Sequence, residues 1–405
     1  LRLLAQGSPN ICCVGDDDQC LAAGTAVTMA DGSTRPIETI AAGEQVLSCY
    51  GSGEFRPARV TRVHKGGGAA SAIEITFASG RTLRSTPEHV HFAGYRIGLT
   101  PQTHFVYLME KRGVGFRLGT SQVYTMGQKQ PVIGFQQRSM QEHADAVWIV
   151  STHASEADAR FEEMRLSLGY AIPTLPFTAR KGASCNGLVH DQEAIARLYA
   201  SLDTQTAAQR LLDDVTLRLD EPHYRPRSRN ASRRNVVVTL CGDRRGMTPM
   251  HRLSIVGNDR EGADALARQG FSVRPAKAGS ASWRVETARA SWRELAADIE
   301  RIREVFDINV VRQARLGADN CDSNGRRASA SLPFLRTRSL RPGMVMMGCD
   351  GYDVVERVET VNEPTRVFDL DIEATHNFVA NGIVTHNSIY GWRGAEVDNI
   401  LRFEQ

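Results

Sequence analysis

The chain has 405 residues, 41% of them hydrophobic and 23% charged, with a formal net charge of +3. This composition is typical of a globular protein with length for two or three domains, and no apolar run approaches the ~20 residues that a membrane helix needs. The charge balance is too even to indicate a partner, and the sequence predicts no association with a membrane.

Cysteine usage indicates the compartment. The eight cysteines are scattered and form no CxxC pair, so neither a zinc site nor a disulfide framework is expected. No secretion signal opens the chain. We therefore expect a cytoplasmic, reducing setting that keeps a thiol nucleophile free.

The two ends of the chain each carry half of one motif. Residues 10–19 read NICCVGDDDQ, in which NICCV predicts a short buried strand, and residues 388–405 read SIYGWRGAEVDNILRFEQ. Joined, they resemble the GDxxQSIYxxRGA motif of UvrD/Rep-type superfamily 1 DNA helicases, and this motif appears only when residues 20–387 are removed. The resemblance implies that residues 1–19 and 388–405 are the N- and C-terminal helicase flanks, or exteins, of an inserted segment.

The helicase resemblance implies roles for three residues of the joined product. Gln19 would sense the γ-phosphate of ATP, Trp392 would stack on a base of single-stranded DNA, and Arg393 would link the two sites. The complete host would be a 3′–5′ DNA helicase that uses ATP and Mg. Because the sequence contains no GxxxxGKS/T phosphate loop, this activity would belong to the spliced host and not to this chain.

A nucleophile stands directly after the break in the motif. Cys20 follows Gln19, and its thiolate could attack the preceding carbonyl through a five-membered ring. The Gln19–Cys20 amide would then become a thioester.

The segment after this cysteine predicts short strands. It reads CLAAGTAVTMADGSTRPIETIAAGEQVLSCY, in which Val27 and Met29 alternate, residues 31–32 form an Asp-Gly hairpin turn, and another strand begins at residues 46–47. The segment resembles the opening block of inteins and hedgehog-type autoprocessing domains. That resemblance implies a mainly β Hint horseshoe, split in sequence into residues 20–100 and 333–387.

The run RSTPEHVHF supplies groups that could activate the amide. It resembles the TxxH block of inteins, which implies that His89 hydrogen-bonds the Gln19–Cys20 amide and protonates the leaving nitrogen, with Thr86 in support. In a strand His91 would face the same side as His89 and is the alternative, although the block favours His89.

The last block reads VFDLDIEATHNFVANGIVTHNS and resembles the two C-terminal intein blocks. Ser388 would attack the thioester, and Asn387 would then cyclise to a succinimide and release the segment. The resemblance implies that His386 donates a proton to that cleavage, that His376 activates Asn387 or Ser388, and that Asp369 couples the two ends. Splicing is expected to need no cofactor and no metal, and its partners are the flanking exteins in cis.

The middle of the chain exceeds what a splicing domain needs. Residues 101–219 contain HFVYLMEKRGVGFRLGTS, which weakly resembles a GIY-YIG nuclease subdomain. The resemblance implies Tyr107, Arg138 and Glu163 as nuclease residues, with Mg as the metal. An unrelated or decayed α/β domain is the alternative.

Residues 220–318 predict a second α/β unit. From residue 251 the β-α-β-β-α order resembles half of a LAGLIDADG-type endonuclease without its motif, and Ser291 with Glu294 predicts a helix capping box. A Gly/Ser-rich linker at 319–332 leads back to the splicing fold. An arginine run could bind DNA phosphates or form a solvated linker; its members are Arg225, Arg227, Arg229, Arg233 and Arg234.

The sequence therefore predicts a mainly β Hint splicing domain with an inserted α/β (α+β) endonuclease-like region. The predicted function is autocatalytic excision of residues 20–387 and ligation of Gln19 to Ser388. Two alternatives stay open: a helicase with an inert DNA-binding insertion that is never excised, and an intein that cleaves its junctions without ligating them.

Overall fold

The computed structural model describes residues 19–387 apart from 67, 70, 127–130, 181–186, 227–233, 276–278, 280 and 318–330. Except for Gln19, both predicted helicase flanks lie outside the described residues. The described chain is mainly β, with one large sheet system of 19 strands and six helices. Within this part of the chain, no helix has the length and apolar character that crossing a membrane requires.

Short strands follow Cys20 where alternation and turn residues predict them. Val27 is buried between half-buried neighbours, and Asp31 closes the next turn by accepting from the Ser33 amide at 2.9 Å. Gly32 has φ +85°, a conformation that L side chains rarely adopt. The strands of this N-terminal part are β1 (Leu21–Ala22), β2 (Ala26–Thr28), β3 (Thr34–Pro36), β4 (Gln45–Cys49), β5 (Phe55–Lys65), β6 (Ala72–Phe77), β7 (Thr82–Ser85) and β8 (Val90–Gly94).

Residues 104–224 form an inserted unit with its own sheets, called unit A below. Its elements are β9 (His104–Lys111), β10 (Gly115–Gln122), β11 (Tyr124–Met126), β12 (Pro131–Ile133), α1 (Gly134–Gln141), β13 (Ala146–His153), α2 (Glu156–Tyr170), α3 (Gln192–Ala200) and α4 (Thr204–Asp214). The main sheet has the order β10-β9-β13. Because side chains of β9 alternate between faces, Val106 and Leu108 enter one apolar core and Phe105 and Tyr107 enter another.

Residues 235–316 form a second inserted unit, called unit B. Its elements are β14 (Asn235–Arg245), β15 (Thr248–Gly257), α5 (Arg260–Arg268), β16 (Val273–Pro275), β17 (Trp283–Arg289), α6 (Trp292–Arg303) and β18 (Asn309–Arg315). The β-α-β-β-α order predicted from residue 251 is confirmed as β15 to α6. Strand β14 pairs antiparallel with β15 and parallel with β18. The first and last strands of unit B, β14 and β18, therefore lie side by side.

The two helices of unit B begin differently. Asp259 caps α5 by accepting from the Gly262 amide at 2.9 Å, and the chain leaves the helix at Gly270 with φ +81°. Ser291 occupies the N-cap position of α6 but makes no side-chain cap hydrogen bond. The predicted capping box with Glu294 is therefore wrong, and α6 is held by its buried face, which includes Leu295 and Ile299.

The C-terminal part of the chain forms six strands, and several of them pair with strands of the N-terminal part. Its strands are β19 (Ser331–Arg336), β20 (Val345–Gly348), β21 (Gly351–Val361), β22 (Val367–Ile372), β23 (Asn377–Ala380) and β24 (Ile383–His386). Strand β22 pairs with β1 and β5, and β24 pairs with β8, β20 and β23. The first and last described strands therefore belong to one sheet system, and one of its cores contains Leu21, Phe77 and Leu370.

Unit B is continuous with the sheet system of the N- and C-terminal parts. Ala314 in β18 pairs with Leu332 in β19, and β19 pairs in turn with β8. Val236 of β14 shares one apolar core with Phe92 of β8 and Val384 of β24. The predicted division at residues 220–318 thus separates parts of the chain that share a core.

Unit A contacts the N-terminal part through Tyr95, whose ring lies 4.7 Å from that of Phe105, and contacts the C-terminal part at its own C-terminal end. The His223 ring bonds the Ile149 amide at 3.0 Å and the Ser339 carbonyl at 2.7 Å. Glu221 pairs with Arg336 at 2.5 Å. These contacts join unit A to the start of the C-terminal part.

Candidate active site

The N-terminal junction is held by strand pairing. Leu21 lies opposite Ser85 in the β1–β7 pair, which brings Cys20 next to Thr86. The Cys20 amide donates to Thr86 Oγ1 at 3.0 Å, and the Thr86 amide donates to the Cys20 carbonyl at 2.9 Å. Cys20 is only 1% exposed. The structure therefore brings together the predicted nucleophile and the predicted supporting threonine.

His89 lies against the same junction. Its amide donates to the Thr86 carbonyl at 3.1 Å, and its Nε2 bonds Thr385 Oγ1 at 2.8 Å. Burial lowers the pKa of His89 to about 4, while a hydrogen bond with the Gln19 backbone acts in the opposite direction. At neutral pH the ring is therefore uncharged and in reach of the Gln19–Cys20 bond.

Asp369 reaches this junction from the opposite side. Leu21 pairs with Phe368 in the antiparallel β1–β22 ladder, so one step along the register places Asp369 across from Cys20. The carboxylate is 1% exposed, and its Oδ1 accepts from the Leu370 amide at 2.8 Å.

Asn387 is fixed at the end of the last strand. In the side-chain orientation in which both polar atoms of Asn387 are hydrogen-bonded, Oδ1 accepts from the Ile372 backbone N–H at 2.9 Å and Nδ2 donates to the His376 carbonyl at 2.7 Å. The Asn387 backbone amide donates to the same carbonyl at 3.3 Å. His376 adopts φ 52°, which is uncommon for a residue with a side chain. This backbone conformation directs the His376 carbonyl at the Asn387 side chain.

The ring of His376 packs against unit B. Its centroid lies 5.8 Å from that of His251 and 6.1 Å from that of Trp292. Burial lowers the pKa of His376 to about 4. Sequence reasoning missed both neighbours, because His251 in a strand and Trp292 in a helix carry no motif.

His386 lies in an aromatic environment. Its ring centroid is 5.5 Å from Phe92 and 5.0 Å from Phe334. Burial first, and then the fields of His376, His89 and Arg312, place the pKa of His386 well below its usual range. Among the described residues, its buried Nε2 has no hydrogen-bond partner.

Two further buried groups lie between the junctions. Thr385 Oγ1 bonds both His89 and His91, the latter at 3.1 Å from Nδ1. The His89 and His91 rings are 4.7 Å apart, so the prediction that they share one side is confirmed. Thr385 was not predicted; only its position next to the His-Asn pair could have indicated it.

The predicted nuclease residues of unit A do not form an open site. Tyr107 is 1% exposed, and a Cβ added at Gly119 would lie 2.5 Å from its hydroxyl. Burial raises the pKa of Tyr107, and the field of Arg117 opposes this shift. No group of three or more His, Cys, Asp or Glu side chains in the described ranges is placed to hold a metal ion.

The two described members of the arginine run contact the protein itself. Arg234 pairs with Asp259 at 2.8 Å and lies 3.8 Å over the Phe306 ring. Burial lowers the pKa of Arg225, although the field of Glu110 raises it. Several predicted residues lie outside the described residues: Arg227, Arg229, Arg233, Ser388, Trp392 and Arg393.

The C-terminal part of the chain matches a known protein family. The family model of the intein splicing domain matches residues 236–387. This range ends on the Asn387 described above and includes unit B, in agreement with the shared core. Residues 236–387 are therefore similar to an intein splicing domain.

Solved structures with similarity to the chain are also inteins or intein-like. The DnaB intein from Synechocystis sp. PCC 6803 is 10% identical over 91% of this chain and 99% of its own, with a TM-score of 0.24. A mutant Ssp DnaB mini-intein is 10% identical over 91% and 99%, with a TM-score of 0.26. A bacterial intein-like domain from Clostridium thermocellum is 18% identical over 29% and 83%, with a TM-score of 0.17. These TM-scores are low, so the assignment depends on the family match. No curated protein matches the chain.

Proposed function

We propose that this chain excises residues 20–387 and ligates Gln19 to Ser388. One observation carries the proposal: the two junctions share a single buried centre. The Cys20 amide is hydrogen-bonded to Thr86 at one end, and the His89–Thr385 hydrogen bond of 2.8 Å reaches β24, the strand directly before Asn387. Ligation needs this proximity, whereas an inert insertion does not.

The first step forms the thioester. Cys20 Sγ attacks the Gln19 carbonyl carbon, the bond from that carbon to the Cys20 nitrogen breaks, and the thiol proton is lost. His89, whose amide donates to the Thr86 carbonyl beside this junction, polarises the amide and supplies a proton to the leaving nitrogen. Asp369 lies across from Cys20 by register and orients or deprotonates the thiol.

The second step transfers the N-terminal flank. The Ser388 hydroxyl attacks the thioester carbonyl, loses its proton and forms an ester, while Cys20 leaves as the thiol. In the third step Asn387 Nδ2 attacks its own backbone carbonyl, and the amine of Ser388 departs with a proton. The His376 carbonyl already holds Nδ2 at 2.7 Å, and the partnerless Nε2 of His386 suits contact with the downstream amide. The ester then rearranges to the Gln19–Ser388 amide.

Intact-mass analysis after expression tests splicing directly. We expect two new species, the excised segment and the joined flanks, and no succinimide or joined product from Asn387→Ala. Cys20→Ala should yield no thioester, whereas Cys349→Ala, which removes an exposed free thiol, is the matched control and should splice normally. A sample that contains only the full-length mass supports the inert insertion, and released flanks without ligation support the cleavage-only alternative.

Restoration of a helicase is the finer part of the proposal. It is supported by the joined motif, in which Gln19 and Ser388 become neighbours, and by the need for ATP and Mg that the motif implies in a complete host. The test is to install these flanks in a full-length helicase and measure DNA-dependent ATP hydrolysis. Splicing should restore it, and Cys20→Ala should leave it lost; equal activity in both would contradict the proposal.

Endonuclease activity of unit A stays a prediction that the burial of Tyr107 does not favour. The test uses duplex DNA that carries an uninterrupted helicase sequence, with Mg²⁺. Specific cleavage that Arg138→Ala abolishes would support a nuclease. No cleavage, together with no salt-sensitive DNA binding, would leave unit A without the predicted DNA partner.

A further inference from the structure

Unit B brings two buried aromatic side chains to the C-terminal junction. His251 of β15 is 0% exposed and Trp292 of α6 is 6% exposed, and their rings meet edge to face with centroids 5.0 Å apart. The His376 ring lies 5.8 Å from His251 and 6.1 Å from Trp292. Both distances fall in the range of favourable contacts between aromatic rings, so the three rings pack as one cluster.

The two rings of unit B are held by unit B itself. The Cys241 backbone N–H donates to His251 Nδ1 at 3.3 Å, and burial keeps the His251 ring neutral by lowering its pKa to about 3. Because a backbone N–H can only donate, Nδ1 is bare and the ring proton is on Nε2. Trp292 belongs to the buried face of α6, together with Leu295 and Ile299. Unit B therefore presents a fixed aromatic surface to His376.

The residues on either side of His376 are held by β4. Thr375 Oγ1 accepts from Ser48 Oγ at 2.7 Å, and the Asn377 side chain bonds both the amide and the carbonyl of Cys49. Between these two anchors, His376 adopts φ 52°. A residue with a side chain keeps such a conformation only where its surroundings impose it, and the ring of His376 is surrounded by unit B.

The conformation of His376 matters because its carbonyl contacts the reacting side chain. Asn387 Nδ2 donates to this carbonyl at 2.7 Å, and the Asn387 backbone amide donates to it at 3.3 Å. Cyclisation requires Nδ2 to approach the backbone carbonyl carbon of Asn387, and a misplacement of about 1 Å can slow such a step about a hundredfold. Rotation of residue 376 would move its ring and its carbonyl together, so a fixed ring also fixes the carbonyl.

We propose that His251 and Trp292 are positioning residues for the C-terminal step: they hold the His376 ring and thereby keep the His376 carbonyl on the Asn387 side chain. The proposal rests on the proposed role of Asn387 in splicing. It gives unit B a specific part in one step of the reaction, in addition to the core that it shares. Both residues act through His376, and neither is a catalytic residue.

The test follows both junctions of the full chain by intact mass in the presence of dithiothreitol. Dithiothreitol attacks the thioester and releases residues 1–19, so the rate of cutting at the N-terminal junction reports the first step. The appearance of species that end at residue 387 reports cyclisation of Asn387. We expect Trp292→Ala and His251→Ala each to slow the C-terminal step about tenfold or more, and to slow the N-terminal step far less.

A conservative variant and a matched control separate positioning from simple structural support. Trp292→Phe keeps an aromatic ring beside His376 and should restore most of the C-terminal rate. Trp283 is a second buried tryptophan of the same core, 5% exposed, whose indole donates to the Asp259 carbonyl at 2.7 Å. Trp283→Ala should lower the urea midpoint as Trp292→Ala does, but it should keep the parental ratio of the two rates.

The outcomes are distinguishable. If Asn387→Ala still releases the C-terminal flank, the proposed function itself is wrong. If Asn387→Ala retains the flank but Trp292→Ala keeps the parental C-terminal rate, the positioning role is wrong. It is also wrong if Trp283→Ala slows the C-terminal step as selectively, or if Trp292→Phe is as slow as Trp292→Ala.

A further variant covers a failure to fold. Should Trp292→Ala not fold, Trp292→Leu keeps a large apolar side chain and removes the ring. We expect the same selective slowing of the C-terminal step in Trp292→Leu, and a parental ratio of the two rates there overturns the proposal.

Discussion

Burial controls the charge of the histidines at the residue scale. His89 and His376 are expected to titrate near 4 because desolvation penalises the imidazolium. They are neutral at physiological pH, so each has one nitrogen free to accept a proton and one to donate. His64 behaves in the opposite way, since a hydrogen bond to Asp371 raises its pKa.

These shifts predict a selective titration. In the Cys20→Ala, Asn387→Ala chain, the ring protons of His376 should keep constant NMR shifts from pH 8 to pH 5.5 and move only toward pH 4. His64 is the internal control and should titrate above its usual midpoint. A His376 midpoint near 6.5 would contradict the buried environment.

A single amide side chain ties two strands beside the site. Asn377 Oδ1 accepts from the Cys49 amide at 2.8 Å and Ser48 Oγ at 3.1 Å, and its Nδ2 donates to the carbonyls of Cys49 and Thr375, each at 2.9 Å. All of this is buried, so the Cys49 amide depends on Asn377, and the Cys49 carbonyl has only the Cys241 thiol at 3.9 Å besides it.

We expect Asn377→Ala to lower the free energy of unfolding by about 2–4 kcal/mol, because it removes the partner of the buried Cys49 amide and the stronger partner of the Cys49 carbonyl. Urea unfolding of the splicing-blocked chain measures the loss. The exposed substitution Glu363→Ala is the control and should change stability by less than ~0.5 kcal/mol. A loss for Asn377→Ala as small as that of the control would show that water replaces the amide.

At the element scale, the two inserted units differ in how they pack. Unit A has one apolar core of its own and a second into which Tyr95 of the N-terminal part packs. It also meets the rest of the fold through Glu221 and His223. Unit B shares a core with β8 and β24, and its His251 lies beside His376. Unit B is therefore part of the framework of the site, and unit A is not.

This difference predicts opposite results for two replacements. A flexible Gly/Ser linker of ~10 residues in place of residues 104–219 keeps Glu221 and His223 and should leave both spliced products visible by intact mass. The same linker in place of residues 235–316 should abolish splicing and cooperative folding. Each core side chain that is removed costs ~2–5 kcal/mol of unfolding free energy. The sum over several of them exceeds the ~5–15 kcal/mol that stabilises a domain.

Two results would contradict this division. If the chain without residues 104–219 lost splicing while it retained a cooperative thermal transition, unit A would support the site directly. If the chain without residues 235–316 still spliced, the shared core would be dispensable.

At the scale of the whole molecule, acid sensitivity follows from histidine burial. Six buried histidines have lowered pKa values: His89, His91, His223, His251, His376 and His386. The unfolded chain binds their protons near pH 6.5, whereas the folded chain binds them only at lower pH. Between these limits the unfolded state carries more protons, so stability is complete above pH 6.5 and falls as the pH falls.

We therefore expect the urea midpoint of the splicing-blocked chain to drop steadily from pH 7.5 to pH 5. Each fully responding histidine contributes a slope of up to about 1.4 kcal/mol per pH unit. His251→Phe removes one buried titrating ring and should therefore reduce the slope of stability against pH relative to the parent. A midpoint that stays constant across this range would contradict neutral burial of these rings.

Local patterns were enough to predict parts of this molecule. The strands after Cys20, the Asp31-Gly32 turn and helix α5 depend on side-chain alternation, turn chemistry and helix stop signals within about ten residues. The junction residues were predicted in the same way, because splicing demands particular groups at the ends of the segment. The capping box at Ser291 failed because packing of the buried helix face can hold a helix whose cap is not formed.

The sequence by itself determined the chemistry at the ends: a thiol at Cys20, an amide at Asn387, and the intein resemblance that surrounds them. Only the tertiary structure decided that unit B shares the splicing core, that His251 lies beside His376, and that Thr385 joins His91 to His89. These relations connect residues far apart in the chain, and no local pattern encodes which distant side chains come together. Burial, which makes the histidines neutral and orders their hydrogen bonds, exists only once the strands have closed around them.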